Sequence, residues 1–138
     1  MIVLDTGVVY AFYDRDDAWH DAVKDLFANE LGDLILPTAV IPELDYLIGK
    51  RLGQQARMAF LNDLIAGVYA AQHLPLELLE NVRELELRYS DLDLGFVDAS
   101  VVTTARWLQC PRIATLDHRH FAGMAREFGL LLVPTEKR

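Results

Sequence analysis

A single cysteine, Cys110, stands among 138 residues, so no internal disulfide and no cysteine-rich zinc site can form. A reducing, cytoplasmic setting is the expectation that follows. Proline and glycine are few, five and eight residues, and they gather into no linker, repeat or low-complexity tract. We therefore read residues 1–138 as one domain with no internal boundary. Basic residues are outnumbered, 13 against 21 acidic, which leaves a net charge of −8. Such a surface repels phosphate backbones at long range and excludes a protein that coats nucleic acid broadly. It leaves open an enzyme that meets nucleic acid at one metal-neutralised site, and it favours a basic protein partner. Long apolar runs are missing too. A membrane span needs about 20 such residues, and the richest stretches here are broken by Pro37, Pro42, Gln72, His73 and Pro75. The opening Met1-Ile2-Val3-Leu4-Asp5 has no basic stretch ahead of its apolar residues, so it reads as a core strand of a soluble protein, not as a targeting segment.

What is present is a core-forming composition, 52% hydrophobic and 25% charged, arranged in two alternating periods. Short apolar runs at Ile2–Leu4, Leu34–Leu36, Tyr69–His73, Arg112–Leu116 and Leu130–Val133 have the length of buried strands. Between them the spacing predicts helices over Ala18–Leu31, Val40–Leu52, Gln54–Ile65, Leu76–Tyr89, Phe96–Leu108 and Phe121–Phe128, with a further helix carrying Tyr10, Phe12 and Tyr13 after Asp5. Gly53 divides two of them into a hairpin. Strands separated by helices give βαβ units with right-handed crossovers. The fold class expected is α/β, a three-layer α/β/α sandwich with a mostly parallel, about five-stranded sheet.

That architecture gives four carboxylates a common address. Asp5 closes the first strand and Asp117 the fourth, and ligands of open parallel sheets bind beyond the carboxyl ends of the strands. Glu43 follows the second strand in the first turn or so of its helix, and Asp98 sits in the first turn after Gly95, where helix dipoles tolerate negative charge. Each alone is an ordinary strand end or first-turn acid. Together, carboxylates at such close quarters either take up protons or bind a cation. An all-oxygen donor set selects Mg²⁺ or Mn²⁺ over zinc, and the matching chemistry is phosphodiester hydrolysis. Thr6 and Thr115 are placed to support the site by hydrogen bonding, and Asp93 is a weaker candidate nearby. Asp14, Asp16, Asp17, Asp21, Asp25, Asp45 and Asp63 read as solvated faces.

The ordered segments Ile2-Val3-Leu4-Asp5-Thr6, Pro42-Glu43-Leu44, Asp98-Ala99-Ser100 and Ala114-Thr115-Leu116-Asp117 followed by Phe121 resemble a PIN domain, in particular the toxin of a VapBC-type toxin–antitoxin pair. The resemblance spans nearly the whole chain. It implies that Asp5, Glu43, Asp98 and Asp117 hold Mg²⁺ or Mn²⁺, with Thr6 and Thr115 in support. It implies endoribonuclease activity that leaves a 5′-phosphate and a 3′-hydroxyl, with inhibition of translation and growth. It also implies a homodimer and a small cognate antitoxin whose tail, basic as this acidic chain would favour, blocks the active site.

RNA must reach an acidic protein through local positive charge. Lys50, Arg51 and Arg57 gather at the helical hairpin, and Arg112, Arg119, His118 and His120 flank Asp117 in sequence, so the arginines and Lys50 are the candidate RNA contacts. The two histidines are placed to assist proton transfer, which this metal chemistry does not require. Tyr10, Phe12 and Tyr13 read as core or dimer-contact residues and not as base-stacking platforms. Two other functions compete. A Rossmann-like phosphohydrolase of small phosphate esters is disfavoured because Gly7 stands two positions after Asp5, where a second aspartate would serve as acid or base. A non-catalytic PIN-like regulatory or binding module predicts the loss of at least one carboxylate, and all four are present.

Overall fold

The computed structural model describes residues 1–137. Five strands, β1 (Ile2–Leu4), β2 (Leu34–Pro37), β3 (Ala70–Gln72), β4 (Arg112–Ala114) and β5 (Leu131–Val133), form one sheet in the order β3-β2-β1-β4-β5. Every neighbouring pair is parallel, with Val3 at the centre facing Ile35 of β2 on one side and Ile113 of β4 on the other. β1 and β2 are buried throughout, whereas Ala70 and Ala71 of β3 and Leu131 of β5 are exposed, as edge positions allow.

Seven helices connect the strands: α1 (Thr6–Tyr13), α2 (His20–Asn29), α3 (Ile41–Leu52), α4 (Gln54–Ile65), α5 (Leu79–Arg88), α6 (Phe96–Trp107) and α7 (His118–Phe128). The chain moves outward from β1 through β2 to β3, then crosses back beyond β1 to β4 and on to β5. Right-handed crossovers therefore put α1–α4 on one face and α5–α7 on the other. The direction of the connections reverses between β1 and β4, and a parallel sheet opens a crevice beyond its carboxyl edge at such a point.

The expected elements are all found, with local chemistry moving their ends. α2 starts at His20 instead of Ala18 because the Asp17 carboxylate accepts the Trp19 amide at 2.8 Å and turns the chain there. A short 3₁₀ turn, Leu76–Leu78, follows Pro75 and delays α5 to Leu79. α7 begins three residues earlier than its apolar stripe indicates, at His118, since the Asp117 side chain accepts the His120 amide at 3.2 Å and caps the helix. Gly53, at φ +96°, makes the joint between α3 and α4, a conformation that costs a residue with a Cβ far more.

One continuous apolar cluster fills both faces, with Phe60, Phe121 and Leu44 among its fully buried members. Phe12 stacks on Phe27 at 4.9 Å and Tyr13 meets Phe60 edge-on at 5.7 Å, which fixes these aromatics as core residues. Asp63, expected on a solvated face, instead accepts the Tyr13 hydroxyl at 2.6 Å, and that hydroxyl lies 2.9 Å from Tyr69 Oη. Among the described residues, no helix is long and apolar enough to cross a membrane.

Candidate active site

The crevice beyond β1 and β4 is a cleft of about 400 Å³ whose walls include Asp5, Thr6, Glu43, Leu47, Asp98 and Asp117. The four acids predicted from sequence thus meet there, each delivered by a different connection. Asp5 takes the N-cap position of α1, yet its side chain makes no capping hydrogen bond and is left to face the cleft. Glu43 lies in the first turn of α3 and Asp98 in the first turn of α6. Asp117 caps α7 with its side chain 55% exposed, and Glu43 is exposed as well.

Asp5 is the buried member, 7% exposed, and burial drives its carboxyl up to about 6. The Thr115 hydroxyl and the Thr6 amide hold it back, while Asp98 and Glu43 push it further. Asp98 is raised as well, first by burial; His120 opposes that shift, and Asp117 and Glu43 add to it. Like charges that raise one another across a partly dry cleft are relieved by a divalent cation.

The supporting threonines differ. Thr115, fully buried, donates its hydroxyl to Asp5 Oδ2 at 2.8 Å and accepts the Asp117 amide at 3.1 Å, so it ties two of the acids together. The Thr6 hydroxyl is buried with no hydrogen-bond partner in the protein. An orphaned oxygen and an all-carboxylate wall are the donors a hard divalent ion and its water shell require. Among the described residues, no three Asp, Glu, His or Cys side chains close around a common point; the acids ring an open cleft.

His120 stands between two of the acids. Its Nδ1 is 3.0 Å from Asp117 Oδ2 and its Nε2 is 3.9 Å from Asp98 Oδ2. The sequence offered a signal for this, a histidine three residues after a capping aspartate, without showing which way the ring turns. His118 points elsewhere, its Nε2 bonded to the Thr115 carbonyl at 3.0 Å.

The remaining candidates divide. Asp93 lies outside the cleft, in the left-handed region at φ 53° on an exposed turn; that turn places Asp91 and Leu92, with Arg119, on an adjoining hollow shared with Asp117 and His120. Of the candidate RNA contacts, Arg119 alone borders the acids. Arg112 is not beside Asp117 in space. As the first residue of β4 it sits at the amino edge of the sheet, where it grips Glu30 through two bonds of 2.7 Å. Sequence adjacency misled here because a strand separates its two ends. Lys50 and Arg51 lie at the far end of α3, about 10 Å along the axis from Glu43, against Tyr46 and Tyr10 respectively. Arg57 is bound back to Asp45, with Nε 3.2 Å from its carbonyl and 3.5 Å from its carboxylate.

The chain is similar to known proteins. The chain is 29% identical to ribonuclease VapC26 of Mycobacterium tuberculosis over 89% of its own length and 91% of that protein's. It is 27% identical to the 23S rRNA-specific endonuclease VapC20 of the same species, over 77% of this chain and 81% of the relative. The crystal structure of VapC20, a sarcin–ricin loop cleaving toxin, superposes with a TM-score of 0.81 at 24% identity, covering 89% of this chain and 95% of that one. A toxin–antitoxin complex from Klebsiella pneumoniae has the same fold, with a TM-score of 0.70 at 15% identity over 100% of both chains. Residues 2–127, which run from β1 into α7 and include all four acids, match the PIN domain family, and the chain belongs to it.

Proposed function

We propose that this chain is a metal-dependent endoribonuclease and the toxin half of a type II toxin–antitoxin pair, built as one domain over residues 1–138. The observation that carries the reading is Asp5, a buried carboxylate pressed by Asp98 and Glu43 at the switch point of a PIN-family sheet. The naming of its relatives as ribonucleases supports RNA as the substrate, ahead of small phosphate esters. All four carboxylates are retained, which weighs against a non-catalytic module.

Mg²⁺ or Mn²⁺ is the cofactor, with Asp5, Glu43, Asp98 and Asp117 as the acids that hold it. When bound, such an ion orients and activates a water for attack on the phosphodiester and stabilises charge on the attacking and leaving oxygens. The chain's own residues set the stage. Thr115 fixes the Asp5 carboxylate and, through the Asp117 amide, the start of α7. Arg119, at the rim beside Asp117, is placed to receive a phosphate flanking the scissile one, while Lys50 and Arg51 offer more distant charge. The products are a 5′-phosphate and a 3′-hydroxyl. The proposal extends to a cytoplasmic homodimer and to a small antitoxin whose basic tail occupies the acidic cleft.

The test is incubation of antitoxin-free protein with total RNA in Mg²⁺ or Mn²⁺, beside EDTA and Asp5→Asn controls, with the cut ends mapped. Discrete cuts that need metal and fall at least about a hundredfold in Asp5→Asn are expected. Cleavage that persists in EDTA, or a folded, metal-bound protein that cuts no RNA, overturns the reading.

A further inference from the structure

The hollow beside the acidic cleft shares Asp117 with it and is walled otherwise by Asp91, Leu92, Arg119 and His120, from the 3₁₀ turn Ser90–Leu92 and the first turn of α7. At about 300 Å³ it stands at the lower end of ligand pockets, with room for one ring system and not for a length of strand. Its two sides are fixed to each other. Tyr89, at the foot of the turn, donates its hydroxyl to Glu127 of α7, and its ring lies where a Cβ on Gly123 of α7 would come within 3.1 Å. The Leu92 and Asp93 amides close the turn on the Tyr89 and Ser90 carbonyls at 3.0 and 3.2 Å.

The walls carry chemistry that nothing else in the fold uses. Among the described residues, neither the Asp91 carboxylate nor the Arg119 guanidinium has a hydrogen bond or an ion pair, and Leu92 is 40% exposed. An apolar side chain and an imidazole suit a flat ring, a free guanidinium suits a phosphate, and a free carboxylate suits the donor edge of a base. That edge can be named, because an ionised carboxylate only accepts. Guanine sets two donors side by side on its Watson–Crick edge, N1–H and N2–H, to match two carboxylate oxygens. Adenine and cytosine pair one donor with an acceptor there, and the single donor of uracil lies between two acceptors.

We propose that this hollow is a nucleobase subsite, in which Asp91 selects guanine in the nucleotide next to the scissile phosphate and Arg119 holds the phosphate beside it. This rests on the ribonuclease reading above and deepens it, since a base seated here hands its strand to the acidic cleft at Asp117.

Guanosine 5′-monophosphate, added in EDTA to ¹⁵N-labelled full-length protein, is the probe. It should shift the amide signals of Leu92, Arg119 and His120 and bind about tenfold more tightly than adenosine 5′-monophosphate. In Asp91→Asn the side chain pairs a donor with an acceptor, the match for adenine, so the order of the two nucleotides should reverse. A merely structural Asp91 would weaken both alike. Cut sites in a randomised RNA loop should follow, with guanine beside the cut in the wild type and adenine in the variant. Equal binding of the two nucleotides, or a guanine preference that Asp91→Asn retains, overturns the subsite. Metal-dependent cuts with no base preference beside them also overturn it, and leave the ribonuclease standing. Guanine selectivity at these amides in a protein that cuts no RNA keeps the subsite and removes the ribonuclease.

Discussion

The Thr115 hydroxyl lies 2.8 Å from Asp5 Oδ2, a buried bond between the end of β4 and the end of β1 that spans the switch point of the sheet. It makes one hydroxyl responsible for both a fold contact and the aim of an acid proposed to hold the metal. Thr115→Val keeps the shape and deletes the donor. We expect a loss of about 1–3 kcal/mol in stability from the unmatched carboxylate and a drop of about ten- to a hundredfold in metal affinity and RNA cleavage. Thr115→Ser should restore most of both. Full activity in the valine variant, measured beside a denaturation curve, would show that Asp5 needs no such support.

Asp5 also fixes a pH dependence. Its carboxyl is raised in the folded state from 3.8 to about 6, so folding disfavours the charged form. The penalty is nil below the unfolded value, grows as pH rises through the window between the two, and is complete above about 6, where it reaches on the order of 3 kcal/mol. Metal-free protein should therefore lose stability between pH 4 and pH 7 on this account. Asp5→Asn carries no such penalty, so in EDTA it should be the more stable protein at pH 7.5 and lose that advantage near pH 4.5. Urea midpoints of the two proteins at both pH values decide the point.

Much of this is legible in the sequence alone. Asp5, Glu43, Asp98 and Asp117 could be assembled from strand ends and helix starts because parallel topology sends every carboxyl end to one edge. The rest depends on direction, which a linear sequence does not carry. Arg112 and Asp117 are five positions apart, yet they occupy opposite edges because β4 runs between them. Asp63 reads in the sequence as any solvated helix acid, but the fold brings the Tyr13 hydroxyl to it from 50 residues away. His120 is visible as a neighbour of Asp117, but the placing of its ring between Asp117 and Asp98 depends on a rotamer.

Metal should stabilise the fold through the acids proposed to hold it. A ligand that binds only the native state adds about 2.7 kcal/mol at a hundred times its dissociation constant. Mn²⁺ titrated into the EDTA-treated protein should raise the melting temperature by several degrees, while Asp5→Asn and Asp98→Asn should show little shift. Equal shifts in all three proteins would place the bound ion somewhere other than the cleft.

The two arginines near Asp117 in sequence should behave oppositely. Arg119 borders the acids, so Arg119→Ala should weaken RNA binding uniformly across sequences and reduce the salt slope by about 0.7, the value for one lost single-strand phosphate contact. Arg112 grips Glu30 at the far edge, and its loss should cost roughly 1 kcal/mol of stability with RNA affinity and cleavage unchanged. Binding measured from low to moderate salt on catalytically silent Asp98→Asn protein separates the two effects without cleavage of the probe.

Tyr13 offers a prediction away from the site. Its hydroxyl satisfies Asp63 at 2.6 Å and neighbours Tyr69 at 2.9 Å; burial, with Tyr69 and Asp63 adding to it, drives the Tyr13 phenol well above the usual tyrosine range, and burial with the Asp63 charge raises Tyr69 against the opposing pull of the Tyr13 hydrogen bond. Tyr13→Phe removes no packing volume, yet it leaves a half-buried carboxylate without its donor. The expected cost is about 1–3 kcal/mol. Replacing Asp63 by Asn in that background should recover part of it, because an uncharged amide is cheaper to leave unmatched. RNA cleavage per folded molecule should stay at the wild-type level in both variants. A large fall in activity with stability intact would instead tie this cluster, which joins α1 to α4, to the conformation of Asp5 at the head of α1.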